Sequence, residues 1–135
     1  MQTSAGSVDI VKPGGLVAVG TLLDPSLTKS DSLLGNILGK PNTLPPILDS
    51  ISLQTYLFET AVGAPEMIKV EKIKFNESLR LNIGTAVTVG MVNSVKSDNI
   101  NINLKRPISA LKNSRVAISR RIGDRWRLIG SGKIV

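Results

Sequence analysis

Apolar and polar residues alternate with period two at Leu79, Leu81 and Ile83 against Arg80 and Asn82, and again at Ile100, Ile102 and Leu104 against Asn101 and Asn103. That period places every apolar side chain of a segment on one face, as a half-buried strand requires. Weaker versions of the pattern predict strands at Val8–Val11, Leu16–Leu22, Leu33–Leu38, Ile51–Thr60, Met67–Phe75, Thr85–Val95, Arg115–Ile122 and Arg125–Val135. Turn-forming residues separate them: Pro13-Gly14-Gly15, Asp24-Pro25, Lys40-Pro41-Asn42, Pro45-Pro46, Ser97-Asp98-Asn99 and Gly123-Asp124. No stretch of ten or more residues carries a helical period.

Many short strands at this spacing predict an all-β barrel or sandwich. A closed antiparallel β-barrel is preferred, because closure removes exposed strand edges, and glycines within the strand patterns (Gly84, Gly90, Gly130, Gly132) suit the bends and close approaches that closure needs. Residues 8 to 22 offer only two strands before the Asp24-Pro25 break, and a lone hairpin is marginal in water. Residues 1 to about 27 are therefore expected to be the tail of an upstream domain, and the chain a fragment of a longer protein.

Composition narrows the chemistry. The 135 residues are the size of one domain, and with only Tyr56, Phe58, Phe75 and Trp126 aromatic, Ile, Leu and Val must fill the interior. There is no cysteine and no histidine, which removes disulfides, thiolate nucleophiles, zinc ribbons and the usual general base. Neither a basic start followed by an apolar run nor 18 consecutive apolar residues occurs, so neither export nor a membrane span is expected. The cysteine-free composition fits a cytoplasmic protein. Asp24, Asp31, Glu59, Glu66, Glu71 and Glu77 lie in turns or among lysines and are read as solvated surface acids. Ser30 and Ser32 have no histidine to activate them. Gly35 and Gly39-Lys40 imitate part of a phosphate-cradling loop, but Pro41 stands where a hydroxyl would reach Mg²⁺ and no helix follows, so no nucleotide cofactor is expected in this chain. No catalysis is expected either.

The net charge of +7 is unevenly placed. Lys105 to Val135 holds nine Lys or Arg against Asp124 alone, whereas residues 1 to 104 hold eight against nine acids. A basic segment of this kind suits a polyanion such as RNA; a merely solvated face is the alternative. Within it, Arg115–Ile122 and Arg125–Val135 form a predicted hairpin. A three-residue loop of Ile122, Gly123 and Asp124 would oppose Arg121 to Arg125 and Ser119 to Arg127. It would put Arg115, Arg121, Arg125 and Arg127 on one face and Val116, Ile118, Trp126 and Leu128 on the other. A two-residue Gly-Asp turn is the competing geometry and would place Trp126 opposite Arg121, mixing the faces. The odd loop is favoured, with Trp126 in the core and the arginine row facing RNA phosphate. Pairing of these arginines with carboxylates of neighbouring strands or absent domains is the alternative. Arg120 falls on the apolar row and is expected at a strand end, reaching solvent or an acid.

Four runs then point to a family: Pro13-Gly14-Gly15-Leu16-Val17-Ala18-Val19-Gly20-Thr21; Leu23-Asp24-Pro25-Ser26-Leu27-Thr28-Lys29-Ser30-Asp31; Leu81-Asn82-Ile83-Gly84-Thr85; and Val116-Ala117-Ile118-Ser119-Arg120-Arg121 with Trp126-Arg127-Leu128-Ile129-Gly130. From about Val11 to Val135 the chain resembles the carboxy-terminal part of the gamma-subunit family of eukaryotic and archaeal translation initiation factor two. The resemblance implies the end of a second β-barrel in residues 1–27 and a third-domain barrel in residues 28–135, as in tRNA-carrying translation GTPases. It implies that GTP and Mg²⁺ are held by a domain missing here. The implied partners are methionyl initiator tRNA, small-subunit rRNA, the alpha and beta subunits of the factor and its own GTP-binding domain. Lys12, Gly14 and Gly15 would lie near the aminoacyl end of the tRNA, although a plain tight turn is the preferred reading of that segment. Two other readings stand beside this one: a purely structural barrel docking to the GTP-binding domain or an assembly factor without touching RNA, and a related elongation factor such as that for selenocysteine. The WRLIG and LTKSD runs argue against the second.

Overall fold

A computed structural model describes all residues from Met1 to Val135. Contacts divide the chain into two compact units, Met1–Leu33 and Leu34–Val135. In the first, β1 (Gln2–Thr3) pairs with β2 (Gly6–Ser7), and a 3-10 turn spans Pro25–Thr28. Asp24 caps that turn by accepting a hydrogen bond from Ser26 N at 2.8 Å.

The second unit is a closed six-stranded barrel. Its strands are β3 (Ile47–Val62), β4 (Ser78–Ile83), β5 (Ala86–Lys96), β6 (Asn99–Ser109), β7 (Arg115–Ile122) and β8 (Arg125–Ile134), in the order β3-β6-β5-β4-β7-β8 and antiparallel at every pairing. The fold expected from alternation and turn chemistry is thus the fold observed. β3 closes the ring because it is long enough to serve two partners, β6 through Gln54 and β8 from Leu53 onwards.

The interior is aliphatic. Leu53, Leu79, Leu81, Val92, Ile100, Ile102, Val116, Ile118 and Ile129 are fully buried, each contributing at most about 1.5–3 kcal/mol of hydrophobic stabilisation. Two buried hydroxyls are satisfied: Thr55 Oγ1 donates to Asp98 O at 2.8 Å and Thr88 Oγ1 to Arg106 O at 2.9 Å. The Thr88 bond caps β6 where it parts from β5 after Leu104, just before Pro107, which has no N–H to lose. Gly130 permits a close approach to backbone: a Cβ there would overlap Tyr56 O and lie 2.9 Å from Leu57 Cα.

Four expected strands are not strands. Val8–Val11 and Leu33–Leu38 form no ladder, Leu16–Leu22 makes only the bridge Gln2↔Ala18, and Met67–Phe75 only the bridge Thr60↔Lys69. Alternation supplies one apolar face, but a ladder also needs a neighbour with free N–H and C=O groups. In the closed ring each strand already has two partners, and the end of β3 beyond its pairing with β6 offers Met67–Phe75 only a short free edge.

Candidate nucleic-acid interface

The β7–β8 hairpin turns through two residues, Gly123 and Asp124, with Ile122 opposite Arg125, Arg121 opposite Trp126 and Arg120 opposite Arg127. Gly123 takes φ +61, the left-handed first position that suits such a turn. This corrects the favoured three-residue loop. The register step that the loop was meant to supply lies inside the strand instead: between the pairs Ile118↔Gly130 and Ser119↔Leu128, Ile129 is the extra residue of a β-bulge. A bulge turns successive side chains to the same side, and both Ile129 and Gly130 are buried. Beyond it the alternation of β8 is reversed.

The four arginines consequently do not share one face. Arg115 and Arg121 project outward with Ser119, whereas Arg125 and Arg127 lie at the barrel end, opposite Ile122 and Arg120. Arg115, Arg121 and Arg125 are exposed, and Arg127 donates from Nη1 to Gly63 O. Trp126, expected in the core, is half-buried outside it, on the side of Arg121. Leu128 is likewise half-buried rather than part of the Val116–Ile118 row.

Arg120 behaves as its place on the inward row suggests. Its guanidinium pairs with Glu77, with side chains only 17% and 18% exposed, and donates to Glu71 O at 3.0 Å and Lys72 O at 3.3 Å. One planar fork thus ties β7 to the segment before β4. The other ion pair, Lys74–Glu71 at 3.1 Å, is exposed. None of Arg115, Arg121, Arg125 and Arg127 has a carboxylate partner.

Register adds two cations that local sequence did not reveal. Lys133 lies directly opposite Arg115 on the outer face, and Arg80 of β4 projects outward opposite Ser119. Directly opposed like charges destabilise a strand pair unless an anion screens them. The only sequence signal for either was outward parity within its own strand; Lys133 joins Arg115 through the register of the last hairpin, and Arg80 joins through the β4–β7 pairing, distant in sequence.

In the first unit Lys12, Gly14 and Gly15 are exposed, and the two glycines take φ +114 and +89 in open space, values that suit a tight turn. Gly35 takes φ +84 against Ala86, where a Cβ would come within 2.9 Å of Ala86 Cα, so packing and backbone conformation account for that glycine.

The structure is thus an aliphatic closed barrel whose buried side-chain polar groups are satisfied and whose marked surface feature is a set of cations without carboxylate partners. The family model described as "Initiation factor eIF2 gamma, C terminal" matches residues 49–134, more than half of the chain, and the chain belongs to that family. It is 54% identical over 127 residues to translation initiation factor 2 subunit gamma of Archaeoglobus fulgidus, covering 94% of this chain and 30% of the relative. It is 53% identical over 136 residues to the subunit of the same name in Methanocaldococcus jannaschii, and 51% over 134 residues to that of Pyrococcus abyssi, covering 99% of this chain and 33% of the relative in both cases. The chain thus spans about a third of the length of these relatives.

Proposed function

We propose that this chain is the carboxy-terminal binding barrel of a cytoplasmic factor that, in its GTP form, carries methionyl initiator tRNA to the small ribosomal subunit, and that its basic hairpin faces RNA. The chain itself performs no chemistry in this reading. GTP and Mg²⁺, and most of the contacts with the alpha and beta subunits, belong to the remaining two-thirds of the factor. Residues 1–27 are the last strands of a second domain and residues 28–135 the third. The observation that carries the RNA contact is the direct opposition of Arg115 and Lys133 with Arg121 nearby, all exposed and none paired with a carboxylate. Phosphate lying over these cations would relieve that repulsion, and the counterions it releases would make binding fall steeply with salt.

A second reading rests on a different feature. A cavity of about 480 Å³ at the barrel surface is lined by Leu34, Ile37, Leu44, Ile47 and Val87 among others, and several of these are exposed. It supports docking to the GTP-binding domain or an assembly factor, with the arginines meeting an acidic protein. Binding of labelled initiator tRNA and a small-subunit rRNA fragment at two salt concentrations separates the readings. The first expects a heparin-competed, salt-steep signal that a folded Arg115, Arg121, Arg125 and Arg127 to alanine variant loses. A signal that alanine leaves intact, or no signal, favours the docking barrel.

A further inference from the structure

None of the four aromatic residues belongs to the core. Tyr56 is 54% exposed, Phe58 39% and Phe75 71%, and Trp126 is half-buried. Aromatic rings carry the largest apolar payload of any side chain, so a barrel that fills its interior with Ile, Leu and Val and leaves every ring outside has them available for recognition.

Three of the four lie on the sheet face that carries the cations. Outward positions of β3 place Gln54 opposite Lys133 and Tyr56 opposite Ser131. Lys133 in turn faces Arg115, and Ser131 faces Ala117, which faces Asn82. One row therefore runs Gln54, Lys133, Arg115 and the next Tyr56, Ser131, Ala117, Asn82. Phe58 is the next outward position of β3, and Trp126 stands beside Arg121 farther along β8. Outward neighbours on one strand are about 7 Å apart and adjacent strands about 4.8 Å. From Gln54 to Phe58, Ser78 to Asn82, Arg115 to Arg121 and Trp126 to Lys133, no outward position is Asp or Glu.

We propose that this face of β3, β8, β7 and β4 binds single-stranded RNA, with unstacked bases on Tyr56, Phe58 and Trp126 and phosphates over Arg80, Arg115, Arg121 and Lys133. The inference rests on the RNA-facing reading of the hairpin and adds the form of the RNA. A duplex keeps its bases stacked internally and offers the cations phosphate but the rings nothing; a single strand satisfies both. Gln54, Asn82, Ser119 and Ser131 supply hydrogen-bonding groups between the rings and the cations. A protein partner would suit the rings, but an acid-free set of four cations is better matched by a polyanion.

Trp126 is the single tryptophan, so intrinsic emission reports on this face alone. The full chain would be titrated with an oligouridylate of about twelve nucleotides, within the usual single-strand site size, and with an RNA duplex of equal length. The oligonucleotide is expected to quench Trp126 and to bind about tenfold tighter than the duplex. Tyr56→Leu and Phe58→Leu, which keep apolar bulk but remove the ring, should each weaken oligonucleotide binding about 5- to 100-fold and leave duplex binding unchanged. Tyr56→Phe should retain it, and thermal melts would confirm that each variant is folded. Duplex binding at least as tight as the oligonucleotide, with the leucine variants unaffected, overturns base stacking and leaves the basic hairpin as a phosphate site. Failure of both RNAs to bind overturns the two readings together and assigns the aromatic face to a protein.

Discussion

Leu16–Leu22 and Leu79–Ile83 have comparable apolar content and end in opposite states. In β4, Leu79, Leu81 and Ile83 are buried, and the backbone is paired with β5 on one side and β7 on the other. In the first unit Leu16 and Leu22 are almost fully exposed, and a single bridge at Ala18 is all the pairing the segment makes. Met67–Phe75 stands between them. It has one bridge to β3, backbone hydrogen bonds from Ala61 N to Ile68 O and from Val70 N to Glu59 O, and the grip of Arg120 on the carbonyls of Glu71 and Lys72. What separates the three is the number of partners available, because a ladder is stable only when its polar backbone groups and its apolar face are satisfied together.

The largest test of this contrast is a matched pair of truncations. Leu81→Ala should destabilise the barrel by about 2–5 kcal/mol, whereas Leu16→Ala should stay within about 0.5 kcal/mol; urea denaturation compares them, and similar losses would break the distinction. Next is Gly130→Val, whose side chain must enter the space of Tyr56 O and Leu57. A cost of about 1–3 kcal/mol is expected, against about 1 kcal/mol for Gly84→Ala, where φ is +57 but space is open. Arg120→Ala should cost about 1–3 kcal/mol by orphaning Glu77 and two carbonyls, with hydrogen exchange rising first in the 67–75 segment. Arg120→Lys should restore little of it, since an ammonium cannot span the same acceptors.

The smallest effect is at Asp24. Hydrogen bonding from Ser26, through its side chain and backbone, holds this exposed carboxyl below its ordinary value of 3.8. A depressed carboxyl stabilises its turn at neutral pH and stops doing so as pH falls through the lowered value. Acidification below 3.8 should therefore loosen this turn, read as faster amide exchange at Ser26 relative to its intrinsic rate, and Asp24→Ala should do the same at neutral pH without shifting the barrel's melting temperature.

Most of the barrel was legible. β7 begins and ends at the expected residues, and the Ser97-Asp98 and Gly123-Asp124 turns lie where their residue chemistry placed them. Local periodicity read every barrel strand, because each keeps one apolar row against a common interior. It overpredicted where a row had no neighbour to pair with, since a partner is a property of the closed sheet and not of the segment. The candidate site was legible as a list of charges but not as a surface. Matching the apolar rows of the last hairpin required one extra residue somewhere; placing it in the loop rather than at Ile129 reversed the sides assigned to Trp126 and Arg127. Arg80 and Tyr56 joined the same face only through pairings distant in sequence, Arg80↔Ser119 and Tyr56↔Ser131, and Lys133 through the bulged register that sets it opposite Arg115.

The bulge at Ile129 also makes the hairpin tip tolerant of length. Removing that one residue would set Leu128 and Gly130 consecutively opposite Ser119 and Ile118, so Gly123-Asp124 would turn as before and Trp126 and Arg127 would keep their sides. The loss would fall on the interior, which would give up one fully buried aliphatic side chain. The tip and the core are thus insulated from each other: a codon lost here lowers stability while leaving what the barrel displays to a partner unchanged.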